Sequence, residues 1–283
     1  MNLLINLLIN NRIKPMYCEV GGNKTFYSNG NGHIDAAQPS IVFLHGAGMD
    51  HSVWVFPARY FARHGYNVYA LDLPGHGRSE GELLTGIAAM SDWLLAALQQ
   101  LNVPSTSLVG HSMGSLIGLD FAARYPQHVD KLALLGTSTP MPVGPPLLEA
   151  ARIDHHDAID MVNTFSHSSA GQLGGSENPG MCMTMSGQRL LERAGEQVLF
   201  TDLSACNGFT PEPTFLKHIG ASTLVIVGAQ DKMTSPVKAR QIADSISDAQ
   251  IVTLNPCGHA MLTEQPNAVL DALAKMMRGH YAT

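Results

Sequence analysis

Charge is scarce in this chain. Only 14% of its 283 residues are Asp, Glu, Lys or Arg, and 17 basic residues against 23 acidic ones leave a net charge of -6. No basic block stands out, which argues against nucleic acid and against adhesion to anionic lipid. Cysteine is also sparse. Cys18, Cys182, Cys206 and Cys257 lie far apart with no C-x-x-C pair. Neither a thiolate zinc site nor a disulfide framework is expected, and reduced thiols fit a cytoplasmic protein. Apolar residues, by contrast, make up 45% of the chain, ample for a large core and too many for disorder.

Residues 1–10 read MNLLINLLIN, apolar but broken by Asn2, Asn6 and Asn10, with the first basic residue, Arg12, behind them. The stretch lacks a positive n-region and a small-residue cleavage site, and it is too short to span a bilayer. It reads as a poorly ordered extension over 1–16, translated ahead of a natural start at Met16, in preference to a short amphipathic arm. No stable membrane anchor is expected.

The remainder alternates buried-strand runs with helical patterns. Apolar runs at 41–45, 68–72, 107–110, 131–136, 223–228 and 250–254 are continuous rather than alternating, as in strands covered on both faces. Helical patterns at 53–64, 87–101, 113–125, 236–246 and 266–278 separate or follow them. This repetition predicts an α/β fold, a mostly parallel, doubly wound sheet, with 17–20 and 24–27 as an antiparallel lead-in pair. The rhythm breaks over 139–213. That stretch is fenced by Pro140, Pro142, Pro145 and Pro146 at one end and Pro211 and Pro213 at the other. Helix material at 147–169 and 188–203 around a glycine-rich loop makes it a helical cap inserted into a core of 17–138 and 214–283.

The chemistry begins at Gly110-His-Ser112-Met-Gly114, which follows the run at 107–110 and opens the helical pattern at 113. A sharp strand-to-helix turn strains the backbone at the serine and brings the new helix close to the strand it left. Side chains two before and two after would clash, so both positions are glycine. A capping serine on an ordinary turn would share the motif, but not its place between strand and helix. A serine needs a base, and the base a carboxylate to orient it. His259, in Asn-Pro-Cys-Gly-His after the last strand run, and Asp231, in the loop after the run at 223–228, belong at the same edge of the sheet as Ser112. The alternatives are a loop histidine and an aspartate that caps the helix near Pro236. His128, His155, His156 and His167 sit in polar helix or turn contexts.

Together with His45-Gly-Ala47-Gly48 and Asp72-Leu-Pro-Gly-His-Gly-Arg-Ser79, these motifs make the chain resemble an α/β-hydrolase over 39–138 and 219–278. The resemblance implies a catalytic triad of Ser112, Asp231 and His259, with an oxyanion hole from the backbone amides of Met113 and Ala47. Asp72 to Ser79 reads as a structural loop. No metal and no cofactor are implied. A serine at position 112 disfavours the haloalkane dehalogenases and epoxide hydrolases of this fold, which use Asp. Ala260 stands where carbon–carbon bond hydrolases of aromatic breakdown commonly carry Trp. Such an enzyme must also hold a dienoate carboxylate, for which Arg152, Arg189 and Arg193 are the cap's candidates. Met141, Met161, Met181, Met183 and Met185 suit either an acyl pocket or ordinary cap packing. The expectation is a serine hydrolase, a carboxylesterase acting on neutral, small to medium esters through an acyl-enzyme. Carbon–carbon hydrolysis and a non-catalytic receptor are the alternatives. Its partner is a small-molecule ester, and the chain is compatible with a homodimer.

Overall fold

The computed structural model describes residues 16–30, 33–177, 180–212 and 214–279. Apart from Met16, the expected N-terminal extension lies outside the described residues. Eight strands form one sheet: β1 (Tyr17–Val20), β2 (Asn23–Ser28), β3 (Ser40–Leu44), β4 (Asn67–Leu71), β5 (Thr106–His111), β6 (Val129–Leu135), β7 (Ser222–Gly228) and β8 (Ala249–Leu254). Their order is β1-β2-β4-β3-β5-β6-β7-β8. β1 and β2 pair antiparallel, as do β2 and β4, and every later pairing is parallel. The β1–β2 hairpin closes through Gly21 and Gly22, at φ +59° and +83°. Two successive left-handed residues suit the tight turn that a right-twisted hairpin needs.

Continuous apolar runs become strands here because both faces are covered. Val42, Leu44, Leu108, Leu132, Leu134 and Val225 join one core cluster, while Ile41, Phe43, Val109, Ala133, Leu135 and Ile226 join another. Alternate side chains point to opposite faces, so neither set can be polar. Helices α1 (Val55–Arg63), α2 (Ile87–Gln100) and α3 (Met113–Arg124) follow the strands of the first half. Leu94 of α2 and Leu116 of α3 join the first cluster and Phe61 of α1 the second. α3 is the central helix: every residue from Met113 to Ala123 is buried.

Between β6 and β7 the described residues hold five α-helices, a 3-10 turn at Phe215–His218 and no strand: α4 (Pro145–Arg152), α5 (His156–Ser166), α6 (Ser169–Gln172), α7 (Met183–Glu192) and α8 (Val198–Gly208). α4, α5, α7 and α8 share a small core, with Leu147, Ala151, Val162, Leu191 and Leu203. The two stretches read from the sequence as helix material are each interrupted. Asp154 and Gln197 turn left-handed, at φ +49° and +60°. The two breaks hold one another: Gln197 N donates to Asp154 Oδ1 at 3.0 Å and Gln197 Nε2 to Oδ2 at 2.5 Å. Aspartate tolerates this region better than most residues and supplies the acceptors. The described residues close with α9 (Pro236–Ser245), the single turn α10 (Met261–Glu264) and α11 (Pro266–Met277). Among the described residues no helix is long and apolar enough to cross a membrane.

Candidate active site

Parallel strands send their following loops to one edge of the sheet, and the chemistry-bearing side chains collect there. Ser112 links β5 to α3 with φ +55° and ψ -119°. That is a strained conformation for a residue with a Cβ, worth about 1–3 kcal/mol. The surroundings enforce it. A Cβ on Gly110 would stand 2.1 Å from Gly114 O, and one on Gly114 would stand 2.3 Å from Leu44 O. Both glycines are therefore obligatory, and Ser112 N is tied to Leu135 O at 2.8 Å. The N-terminus of α3 lies directly behind the serine and favours negative charge on it.

Asp231 and His259 form a buried pair. His259 Nδ1–H donates to Asp231 Oδ2 at 2.8 Å, with the two residues 3% and 9% exposed. Nε2 is thereby the basic nitrogen of the ring. Thr234 Oγ1 donates to the same carboxylate oxygen at 2.6 Å, while the amides of Met233 and Thr234 donate to Oδ1, each at 2.8 Å. Burial pushes the Asp231 carboxyl up, but His259 and the Thr234 hydrogen bonds outweigh it and hold the group below its ordinary value. Asp231 does not cap α9; Ser235 does, accepting from Lys238 N. Among the described residues neither the amide of Ala47 nor that of Met113 has a backbone acceptor outside the regular elements.

The sequence profile of the α/β hydrolase fold family matches residues 39–266. The chain belongs to that family. It is similar to the putative carbamate hydrolase RutD of Agrobacterium fabrum, 25% identical over 84% of this chain and 92% of that protein. It is also similar to a 2-hydroxy-6-oxononadienedioate/2-hydroxy-6-oxononatrienedioate hydrolase of Paraburkholderia phymatum, 29% identical over 79% of this chain and 82% of the other. Among solved structures a thermophilic esterase superposes with a TM-score of 0.79 at 25% identity, over 93% of this chain and 96% of that one.

One cavity opens on Ser112, and a second is lined by the chain neighbours of Ser112 and His259. The larger, about 440 Å³, is lined by Ser112, Ala47 and Thr234 on the core side and by Met141, Leu147, Met161, Leu203 and Cys206 from the segment between β6 and β7. Burial pushes the Cys206 thiol well up, so it lines the wall as a neutral group. Lys232, exposed, is the one charged residue of the lining. The smaller cavity, about 60 Å³, touches His111, Ala260 and Met183. Met181 and Met185 line neither cavity. The three arginines weighed for a carboxylate are engaged elsewhere: Arg152 with Glu149, Arg189 with Glu192 and Arg193 with Asp50. None of them lines either cavity.

Several supporting residues escaped the sequence reading. Gly136, after β6, has φ +57°, and a Cβ there would stand 2.9 Å from both Cε1 and Nδ1 of His259. The backbone is thus a shelf for the imidazole. His111 Nε2–H donates to His259 O at 2.9 Å. His167, read as a polar turn residue, is 2% exposed and lines the smaller cavity. Asp72, in the loop read as structural, accepts from the amides of His51 at 2.6 Å and Arg78 at 2.9 Å. The carboxylate contacts of Thr234 had a local cue, since Asp-x-x-Thr-Ser-Pro is turn chemistry ahead of a helix. His111 and Gly136 had none, because their partner His259 is remote in sequence.

Proposed function

We propose that the protein is a serine carboxylesterase acting on uncharged esters through an acyl-enzyme. The observation that carries this reading is the larger cavity, which opens on Ser112 and is mainly apolar, with the exposed Lys232 its one charged residue. Ser112 Oγ attacks the ester carbonyl carbon and His259 Nε2 takes its proton. Asp231 holds the ring with Nε2 free and stabilises the imidazolium that forms. The carbonyl oxygen becomes an oxyanion and accepts from the Ala47 and Met113 amides, where preorganised donors act in a partly dry site. Collapse expels the alcohol, which takes the proton from His259. Water then repeats the sequence on the acyl-enzyme and frees the acid. The likeness to a solved esterase supports the same reading.

Carbon–carbon bond hydrolysis is the second reading, favoured by the similarity to a dienedioate hydrolase. It requires a buried carboxylate to be matched, since an unpaired buried charge is very costly. Arg152, Arg189 and Arg193 are at least half exposed and paired with acidic residues. The deciding experiment is labelling of Ser112 by a fluorophosphonate, together with kcat/KM for p-nitrophenyl butyrate and for a phenyl-substituted hydroxy-oxo-dienoate. Labelling with faster ester turnover is expected. Faster dienoate cleavage would replace the ester reading with the second one.

A further inference from the structure

The smaller cavity carries an imbalance of hydrogen-bonding groups. His111 Nδ1, Asn163 Oδ1 and His167 Nε2 are buried and without a hydrogen-bond partner, and all three residues line this one space. Their chemistry is fixed by their other bonds. His111 donates through Nε2 to His259 O, and His167 donates through Nδ1 to Asn163 O at 2.7 Å. A neutral imidazole that donates from one nitrogen accepts at the other. Burial and the neighbouring His259 hold the His111 imidazole down, to about 3, so it is neutral in use. Asn163 Nδ2 donates to Thr184 O at 3.0 Å, which sets the amide with Oδ1 as the free end. The unpaired atoms of His111 and Asn163 are therefore acceptors, and His167 Nε2 is a third wherever that ring carries its single proton on Nδ1. Of the hydroxyl residues in the lining, Thr263 donates to Ala260 O at 2.9 Å, and Ser166 also borders the space. The rest is mainly apolar, including Val53, Val162 and Leu262.

Such a lining repels a carboxylate, which can only accept, and suits a group that brings O–H or N–H. At about 60 Å³ the space takes a small polar group. Its position adds a direction. His111 and Ala260 are the chain neighbours of Ser112 and His259, and a Cβ on Gly46 would stand 3.1 Å from Ser112 Cβ and 3.3 Å from His111 Nδ1. The larger apolar cavity suits the acyl chain, and the departing alcohol must lie beside the histidine that protonates it. We propose that the smaller cavity is a subsite for the alcohol half of the ester, selecting alcohols that carry further hydroxyl or primary amide groups. This rests on the esterase reading and names its substrate class.

The test uses the full chain and three butyrate esters of matched length, the propyl, 2,3-dihydroxypropyl and 2-carboxyethyl esters. The expected kcat/KM for the dihydroxypropyl ester exceeds that for the propyl ester by about tenfold, the scale of hydrogen bonds to buried acceptors. The carboxyethyl ester falls below both. In Asn163→Leu, and independently in His167→Phe should the first fail to fold, the dihydroxypropyl-to-propyl ratio drops toward one. Equal turnover of the two neutral esters by the native protein, or a ratio unchanged in a folded variant, would overturn the subsite. It would then be a chamber for ordered water. Fluorophosphonate labelling of Ser112 separates the two failures. A labelled enzyme with flat ratios sinks the subsite alone, whereas an unlabelled protein that turns over no ester sinks the esterase reading and the subsite with it.

Discussion

Replacing Gly136 by alanine tests the proposed catalytic geometry without touching any of its three side chains. The added methyl would lie 2.9 Å from two ring atoms of His259 and 3.6 Å from Asp231 Oδ2. The first distance is well inside van der Waals contact, and the ring is held at Nδ1 by Asp231 and through its own carbonyl by His111. One of these must yield. The backbone adds its own cost, since φ +57° is disfavoured for a residue with a Cβ by about 1–2 kcal/mol. At about 2–4 °C per kcal/mol for a chain of this class, Tm should fall by about 2–8 °C. The imidazole should shift by a fraction of an ångström up to one. A misplacement of that size lowers kcat by up to about a hundredfold, with KM for a short ester little changed because the larger cavity is untouched. Thermal unfolding and steady-state kinetics on p-nitrophenyl butyrate supply both numbers. A folded Gly136→Ala protein with kcat within about twofold of native would refute the idea that this backbone positions the base.

Ser112→Ala should reduce ester turnover by about a millionfold with little change in Tm; residual activity above about one per cent of native in a clean preparation contradicts its role as nucleophile. Asp231→Asn should cost about 10⁴ in kcat through the wrong imidazole tautomer, and near-native activity would move the acid elsewhere. His76 predicts a pH effect on stability. Burial pushes its imidazole down, but Asp202, 2.9 Å away, outweighs this and raises it above its ordinary value. A raised value means the stabilisation is complete below the unfolded value of about 6.5 and is lost as pH rises through the higher folded one. The Tm gap between native and His76→Gln should therefore be wider at pH 6 than at pH 9, and a gap that widens with pH reverses the assignment.

The parts legible in the sequence are those dictated by neighbours along the chain. Gly110, Ser112 and Gly114 announce a strained strand-to-helix turn because the clash at Gly110 lies within the motif itself, although Gly114 is also required by the remote Leu44. The runs ahead of Asp231 and His259 mark them as loop residues at a strand's end. Their meeting in one hydrogen bond follows from the parallel order of β5 to β8. The segment between β6 and β7 was legible as helical but not in its breaks. Asp154 and Gln197 look ordinary in their own contexts and turn left-handed only because each completes the other. The same holds for the cavities. Arg189 and Arg193, spaced as a pair, are drawn to Glu192 and Asp50 instead, while Lys232, one residue after Asp231, lines the larger cavity without any periodic cue.

The helical segment reaches both halves of the proposed machinery through buried carboxylates. Asp202, on α8, accepts from Gly48 N at 2.8 Å, one residue beyond the Ala47 amide, and pairs with His76. Glu264, on α10, accepts from Gly258 N at 3.0 Å and from Ser168 N at 3.1 Å and its hydroxyl, while Ala260 N donates to Ser166 O at 2.8 Å. The residues on either side of His259 are thus fastened to the loop between α5 and α6. Hydrogen bonds to charged groups are worth about 1.5–3 kcal/mol each, and more is lost when the partner is left buried and unpaired. A segment held at these points is poorly suited to swinging clear as a unit. Substrate entry then falls to the exposed rim of the larger cavity at Pro142, Gly144, Pro146 and Lys232. By the same argument, loosening the segment would disturb both the oxyanion loop and the base, with no substrate contact removed.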